Sequence, residues 1–337
     1  MLTLGIESSC DETSVAVTEE EKVLSNIVSS SVHFHKKYGG VVPEIASRFH
    51  VEYIIEVLSG ALKKSGKSLE DIKLVAVTNG PGLVGALLIG IALAKSLSYA
   101  LRVPLIGVNH ILAHLHSAFL NDDLPEFPFV GLVVSGGHTA LFYCEDVDRQ
   151  VLMGQTQDDA VGEAFDKVAK ILGLGYPGGP IVEKEARAAT GNNSIKFPKS
   201  YLGKDSLDFS FSGIKTAVLY YVRNTPGALE ADSVKDICYA FQEAALDVLA
   251  EKTYLAAKKM GVSHVVVGGG VAANSRLREK LKAALGMLNV KVHFPKMEYC
   301  LDNAAMIGVL GEKLYKKGHR SDLYLMAEPN LEVVNVK

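Results

Sequence analysis

An internal repeat is the feature that most constrains the fold of this chain. A strand that ends near Ile6 and a later strand that ends near Val77 are matched, further along, by strands near Val134 and Val267. In each half the later strand runs into a glycine turn and then a helix, which is the pattern of an α/β unit. The repeat therefore predicts a duplicated, two-lobed α/β fold with an interlobe cleft, in which a nucleotide could bind.

The chain length agrees with two lobes, because 337 residues exceed what one hydrophobic core usually serves. We expect an N-terminal lobe of residues 1–122 plus 302–325 and a C-terminal lobe of residues 123–301. The second half has more residues between its landmark strands than the first half. An insertion near residues 176–222 accounts for much of that difference.

The charge and the cysteines limit the function classes. The net charge is −3, so no general positive field attracts nucleic acid, and any RNA contact needs a local basic patch. The candidates for such a patch are Lys196, Lys199, Lys204, Lys215 and Arg48. The four cysteines are scattered without a C-x-x-C pair, which favours reduced thiols over a disulfide framework or a thiolate metal site.

No targeting segment or membrane span is predicted. The N-terminus lacks a basic region, and Glu7 interrupts its apolar stretch, so it does not have the form of a signal peptide. The longest apolar run, residues 84–94, is too short to cross a bilayer and indicates a buried helix. We therefore expect a cytoplasmic protein without a membrane partner.

Two histidines mark a candidate metal site. His110 and His114 are four residues apart in an apolar helix for which Asn109 is a good N-cap, so they share one helix face. Two imidazoles placed this way can bind one metal ion, but they can also be ordinary core histidines. Ile111 and Leu112 stand where an H-E-x-x-H zinc protease has its glutamate, so this helix carries no general base for proteolysis.

Glycine turns after two strands mark a candidate nucleotide site. Residues 135–137 (Ser-Gly-Gly) and 268–270 (Gly-Gly-Gly) each follow a strand, and the second turn leads to a helix N-terminus. Such turns let backbone N–H groups approach phosphate oxygens, although glycines also serve simply to make tight turns. Neither turn is a Walker A loop or a convincing G-x-G-x-x-G motif.

Several local predictions concern the second half. We expect a helix over residues 158–172 with Asp158 as its cap, a loop over 176–180, an irregular segment over 192–211 and a final helix over 302–317.

Taken together, the motifs resemble a known family. They are Glu7-Ser8-Ser9-Cys10-Asp11-Glu12-Thr13, Asn109-His110-Ile111-Leu112-Ala113-His114, Val134-Ser135-Gly136-Gly137-His138-Thr139, Tyr176-Pro177-Gly178-Gly179-Pro180, Phe209-Ser210-Phe211-Ser212-Gly213-Ile214-Lys215, Gly268-Gly269-Gly270-Val271-Ala272-Ala273-Asn274 and Asp302-Asn303. In this order they resemble the TsaD (formerly Gcp) family of tRNA N6-adenosine threonylcarbamoyltransferases. The resemblance implies the actin, sugar kinase and Hsp70 (ASKHA) fold. It also implies transfer of threonylcarbamoyl from its adenylate to the N6 amine of the adenosine beside the anticodon, in tRNAs that read codons starting with A, with release of AMP.

The resemblance also implies the site residues. His110, His114 and Asp302 would bind the metal, and Asp11 would lie near the reacting group. The adenylate would contact Val133, Val134, Ser135, Gly136, Gly137, Asp166, Gly179, Glu183 and Asn274, and ATP or AMP can occupy the same cleft. Family members carry Asp or Glu at the position of Glu183. Two His and one carboxylate favour Fe(II), with Zn(II) as the competitor. Asp11 is either a group that orients the amine or accepts its proton, or a structural contact.

Three other functions remain as alternatives: a kinase or ATPase of the same fold, a metallopeptidase, and a non-enzymatic scaffold subunit. The resemblance implies tRNA and threonylcarbamoyl-AMP as substrates. It also implies an inactive paralogue, an ATPase subunit and the synthase of the adenylate as partner proteins. Homodimerisation is left open.

Overall fold

The computed structural model describes residues 1–121, 123–189, 195–203 and 205–333. They form two compact units. Unit 1 comprises Met1–Pro125, Glu145–Gln150 and Pro295–Lys337, and unit 2 comprises Glu126–Cys144 and Val151–Phe294. The lobe boundaries expected from the sequence stay predictions.

Each unit contains a five-stranded sheet. The strands of the first sheet are β1 (Leu2–Glu7), β2 (Glu12–Glu19), β3 (Lys22–Ser30), β4 (Leu74–Gly80) and β5 (Leu105–Asn109), in the order β3-β2-β1-β4-β5. Those of the second are β6 (Phe129–Val134), β7 (Thr139–Asp146), β8 (Arg149–Gln155), β9 (His264–Gly268) and β10 (Lys291–His293), in the order β10-β9-β6-β7-β8. Read from the opposite edge, the second order repeats the first.

The strand directions agree as well. β2 is antiparallel to β1, as β7 is to β6, while β4 is parallel to β1, as β9 is to β6. The predicted duplicated α/β fold is therefore confirmed. The landmark positions need one correction, because Ile6 lies opposite Val77 whereas Leu132, not Val134, lies opposite Val267. The predicted register is therefore wrong by two residues. Because side chains alternate between the two faces of a strand, a shift of two residues assigns each side chain to the correct face.

The described residues contain ten α-helices. They are α1 (Val32–His35), α2 (Pro43–Ser65), α3 (Val84–Leu101), α4 (His110–His116), α5 (Val161–Ile171), α6 (Gly178–Arg187), α7 (Ser212–Asn224), α8 (Ala231–Met260), α9 (Ser275–Gly286) and α10 (Ala304–Lys316). In unit 1, α2 and α3 cover the core formed by β1, β2 and β4. In unit 2, the 30-residue helix α8 contributes most of the buried helical residues of the core.

Helix α3 was expected to be buried, and that prediction is only partly correct. It is long and apolar enough to cross a membrane by composition, a test that core helices of soluble proteins also pass. Of its residues 33% are buried, where it packs against β4 and α2. Its other face exposes Val84, Leu88 and Tyr99.

Three local predictions in the second half are wrong. Helix α5 begins at Val161, and Asp158 does not cap it: the Asp158 carboxylate instead accepts hydrogen bonds from Ser210, Phe211 and Ser212. The expected loop over 176–180 already contains the first turn of α6, which begins at Gly178. The final helix begins at Ala304 with Asn303 as its cap, so Asp302 precedes the helix. Residues 192–194 and 204 of the expected irregular segment lie outside the described residues.

Candidate metal centre and nucleotide-binding turns

Helix α4 presents two buried histidines on one face. Its cap is the predicted one, since Asn109 Oδ1 accepts hydrogen bonds from the backbone N–H groups of Ile111 (2.9 Å) and Leu112 (3.1 Å). The four-residue spacing brings the rings of His110 and His114 to 4.6 Å between centroids. Both side chains are buried, so their nitrogen atoms are shielded from bulk water.

Asp302 joins the two histidines. Its Oδ1 atom lies 3.1 Å from Nε2 of His114 and 3.6 Å from Nε2 of His110. One donor atom from each of the three residues falls within 4.8 Å of the other two, which defines a group able to bind one metal ion. The resemblance named these residues as ligands, and the structure brings them together although almost 190 positions separate Asp302 from His114.

The state of His114 supports a metal at this place. Neither ring nitrogen of His114 has a hydrogen-bond partner, although both are buried. The contact of Nε2 with Asp302 is close but lacks hydrogen-bond geometry. A buried polar atom without a partner costs about 1–3 kcal/mol, so a native protein rarely keeps one without a reason. A metal ion bound to Nε2 would supply that partner, and the donor set of two imidazoles and a carboxylate suits Fe(II) or Zn(II).

Glu7 contacts His110 at Nδ1, the ring nitrogen that does not face Asp302. Its Oε2 atom lies 2.9 Å from Nδ1 of His110 and accepts a 2.6 Å hydrogen bond from Thr78, while Oε1 accepts one from the Ser9 N–H. Burial opposes a charge on His110, but the carboxylates of Glu7 and Asp302 outweigh burial and raise the pKa of His110 to about 9. A carboxylate behind a ligand histidine fixes its orientation and makes Nε2 the metal-facing atom.

Sequence reasoning did not assign a role to Glu7, although the residue opens one of the quoted motifs. The available signal was a glutamate at the carboxyl end of a mostly apolar strand, and the structure buries that glutamate fully.

Asp11 lies in the buried turn between β1 and β2. Its backbone carbonyl accepts hydrogen bonds from both the N–H and the Oγ–H of Ser31, each at 2.9 Å. Burial and the neighbouring carboxylates of Asp11 and Asp302 raise the pKa of Glu12 well above its usual range. Asp11, Glu12 and Asp302 therefore belong to one acidic group in unit 1.

In unit 2, the turn after β6 has room for a ligand. The Ser135 N–H donates to the His138 carbonyl (2.8 Å), and the His138 N–H donates to Ser135 Oγ (3.1 Å), so the turn is held internally. A Cβ atom added at Gly136 or Gly137 would meet no atom within 4 Å, so this space is open. At Gly269, in the turn after β9, a Cβ atom would lie 2.4 Å from the Val134 carbonyl, so that glycine is needed for packing.

Three residues that were predicted to contact the adenylate accept hydrogen bonds from the first residues of helices in unit 2. Asp166 Oδ1 accepts a 2.6 Å hydrogen bond from the Gly178 N–H at the start of α6. Glu183 Oε1 accepts bonds from both the N–H (3.0 Å) and the hydroxyl (2.6 Å) of Ser275 at the start of α9, and Asn274 caps that helix through Leu277. These side chains thus have structural roles, because each carboxylate already occupies the anion-favouring N-terminus of α6 or α9.

A surface groove of about 330 Å³ follows one face of α6. Its lining consists of Pro180, Glu183, Lys184, Arg187 and Ala188. Arg187 is fixed there by ion pairing with Glu183. The predicted contact Gly179 lies in the same first turn of α6 and, like Gly137, has open space where a Cβ atom would lie.

Three of the four described basic residues considered for RNA form ion pairs, and Lys196 is the exception. Lys199 lies 2.7 Å from Asp247, Lys215 lies 2.7 Å from Asp159, and Arg48 lies 2.6 Å from Glu44. Lys204 lies outside the described residues. These ion pairs reduce the positive charge that the expected patch offers to phosphates.

Solved structures with the same architecture place the fold in a class. Full-length HypF in its phosphate- and nucleotide-bound form superimposes with a TM-score of 0.62 at 16% identity, covering 94% of this chain and 55% of that one. A ROK hexokinase from Thermus thermophilus gives 0.53 at 13% identity, covering 94% and 100%. At these identities the likeness shows the fold alone, and that fold is the actin, sugar kinase and Hsp70 class.

The sequence comparisons identify the family. The model of the family described as "TsaD: tRNA N6-adenosine threonylcarbamoyltransferase" matches residues 22–309. Proteins of that name from Dictyoglomus turgidum and Symbiobacterium thermophilum are 51% and 52% identical, over 98% of this chain and 98% and 96% of theirs. The chain belongs to the TsaD family.

Proposed function

We propose that this chain transfers threonylcarbamoyl from threonylcarbamoyl-AMP to the N6 amine of the adenosine next to the anticodon, in tRNAs that read codons starting with A. The amine nitrogen forms a bond to the carbamoyl carbon, the bond from that carbon to the phosphate oxygen breaks, AMP leaves, and the amine loses a proton. The full-length match to relatives named for this activity supports the proposal. The observation that carries it is the group formed by His110, His114 and Asp302, in which the buried ring nitrogens of His114 have no hydrogen-bond partner.

The metal would be bound by His110, His114 and Asp302, with Fe(II) favoured and Zn(II) as the competitor. When bound, the metal would supply Lewis acidity and a template for the donor's oxygen atoms. The residues of the chain orient this centre: Glu7 fixes the ring of His110, and Thr78 and the Ser9 N–H fix the carboxylate of Glu7.

The adenylate would be bound by unit 2 through Val133, Val134, Ser135, Gly136, Gly137, Asp166, Gly179, Glu183 and Asn274, with ATP or AMP as competing occupants. The open space at Gly136, Gly137 and Gly179 supports this assignment. Because AMP is already a good leaving group, catalysis can rely largely on positioning the weakly nucleophilic amine.

Asp11 would act on that amine, either by orienting it or by accepting its proton. Its backbone is fixed by Ser31, so its side chain starts from a defined position. The proposed partners are tRNA, an inactive paralogue and an ATPase subunit, and a synthase would supply the adenylate. Because the proposed substrate is tRNA, the proposed location of the reaction is the cytoplasm. A kinase or metallopeptidase function is not favoured by the relatives.

A transfer assay tests the proposal. The metal-loaded chain, with its partner proteins, is incubated with synthetic threonylcarbamoyl-AMP and unmodified tRNA, and the modified nucleoside and AMP are quantified. Equal amounts of both products are expected, with none from tRNA carrying another base in place of the target adenosine. AMP release without nucleoside modification would contradict the proposal and indicate a hydrolase.

A further inference from the structure

The segment that fixes Asp11 also carries an exposed aromatic and basic surface. Ser31, which hydrogen-bonds the Asp11 carbonyl twice, is followed directly by α1 and a 3₁₀ turn over Lys36–Tyr38. His33, Phe34, Lys36, Lys37 and Tyr38 are all exposed, and we call these five residues the α1 surface. Its two large rings are well exposed, Phe34 at 43% and Tyr38 at 52%.

The α1 surface is positively charged without local compensation. Residues 31–43 contain two lysines and two histidines but no carboxylate. Lys36 and Lys37 form no ion pair with any described residue, in contrast to Lys199, Lys215 and Arg48. Instead the ammonium of Lys37 lies 4.9 Å from the centroid of the Tyr38 ring. A chain of net charge −3 thus keeps an uncompensated positive surface beside its candidate catalytic turn.

The Phe34 ring of the α1 surface packs against helix α2. The Phe34 ring packs edge-on against Phe49 of α2 at 5.9 Å, and Phe49 packs on Tyr53 at 4.3 Å. His33 lies against Phe34 at 3.8 Å between ring centroids. A ring that is held in place but exposed can stack on a flat ligand with little loss of side-chain entropy.

We propose that the α1 surface binds the single-stranded anticodon loop of the RNA substrate, with unpaired bases stacked on Phe34 and Tyr38 and loop phosphates bound by Lys36 and Lys37. Exposed aromatic rings interleaved with unpaired lysines are what single-stranded nucleic acid requires, because every base has a stacking face and every linkage carries a phosphate. A protein partner would gain nothing from the unpaired lysines unless it were acidic. The inference rests on the proposed function and adds to it the surface that brings the loop to Asp11.

The test measures the KM for tRNA and its dependence on salt. In Lys36→Ala/Lys37→Ala, the slope of log affinity against log salt should become shallower by roughly 1.4, about 0.7 for each lost phosphate contact to a single strand. Phe34→Ala and Tyr38→Ala should each raise the KM at least about fivefold, because stacking one base contributes at least ~1 kcal/mol. Phe34→Trp should retain affinity, whereas Phe34→Leu should not. Metal content and the KM for the adenylate should stay unchanged.

The matched control is Lys63→Ala/Lys64→Ala, which removes two exposed lysines at the opposite end of α2 and should leave the salt slope unchanged. If the parent chain modifies tRNA and the α1-surface variants keep its KM and salt slope, the inference is overturned while the proposed function stands. The same holds if the variants bind an isolated anticodon stem-loop normally and lose only a partner protein. If the parent modifies no tRNA, the proposed function itself fails.

Discussion

The Nδ1 atom of His110 lies 2.9 Å from Oε2 of Glu7, and the two side chains are buried together. This pair turns the other ring nitrogen of His110 toward Asp302 and His114, which are the remaining members of the metal-binding group. The carboxylate would therefore act on a bound metal through the histidine, without being a ligand itself.

Replacing Glu7 by Gln should weaken metal binding by roughly 10- to 100-fold, because the outer carboxylate that orients the histidine is lost. The amide preserves the size of the side chain. Metal affinity is measured by competition with a chromogenic chelator at pH 7.5. Glu19→Gln, at the exposed end of the adjacent strand, is the control and should bind metal as the parent does. Parent-like affinity in Glu7→Gln would remove the role given to Glu7.

Replacing His114 by Leu should separate metal binding from stability. The two ring nitrogens of His114 have no hydrogen-bond partner in the protein, so without metal an apolar side chain of similar size removes a desolvation cost of about 1–3 kcal/mol. The metal-free variant should unfold at an equal or higher urea concentration than the metal-free parent, while added metal no longer stabilises it. A variant that is less stable without metal, or that keeps full metal content, would contradict the proposed ligand role.

A side chain added in the glycine turn after β6 should leave the fold intact but block the binding of a nucleotide. Gly137→Val should leave the unfolding midpoint close to that of the parent, since a Cβ atom there meets nothing within 4 Å, and should weaken binding of AMP. The comparison is Gly178→Ala, where a Cβ atom would lie 2.7 Å from backbone atoms of Phe165 and Asp166 and the protein should be destabilised. Unchanged AMP affinity in a folded Gly137→Val variant would move the nucleotide away from this turn.

The stability of the metal-free protein should depend on His116 in acid. Burial, with a smaller contribution from Lys313, lowers the pKa of His116 from 6.5 to about 4, although a bond to the Leu112 carbonyl opposes the shift. The unfolded chain therefore binds a proton below pH 6.5 that the folded chain takes up only near pH 4, so stability falls as pH falls through this range. The contribution of His116 to that loss is about 3 kcal/mol.

His116→Gln, which keeps a donor for Leu112, should lose less stability than the parent between pH 6.5 and 4.5 in urea titrations with a chelator present. His110 affects a separate range: its raised pKa adds stability to the metal-free protein that is complete below pH 6.5 and disappears as pH rises toward 9. Parallel pH profiles for parent and variant below pH 6.5 would show that His116 is accessible to protons in the folded state.

Local patterns predicted more of the fold than of the site. The cap at Asn109 and the shared face of His110 and His114 follow from helix geometry, which depends on neighbours within one turn. The assignment of Asp302 came from family resemblance. The missed features depend on bonds between distant residues: Thr78 to Glu7, and the Gly178 N–H to Asp166. No spacing rule identifies such bonds before the fold is known.

The contacts of the Asp158 carboxylate limit how a chain of this family could be shortened. This carboxylate accepts four hydrogen bonds from Ser210, Phe211 and Ser212, which lie in the second half of the segment 176–222. Phe209 and Phe211 of the same segment are buried in the core of unit 2. Cutting out residues 176–222 would leave an unfilled cavity and an uncapped carboxylate. A trimmed enzyme would therefore need a redesigned interior.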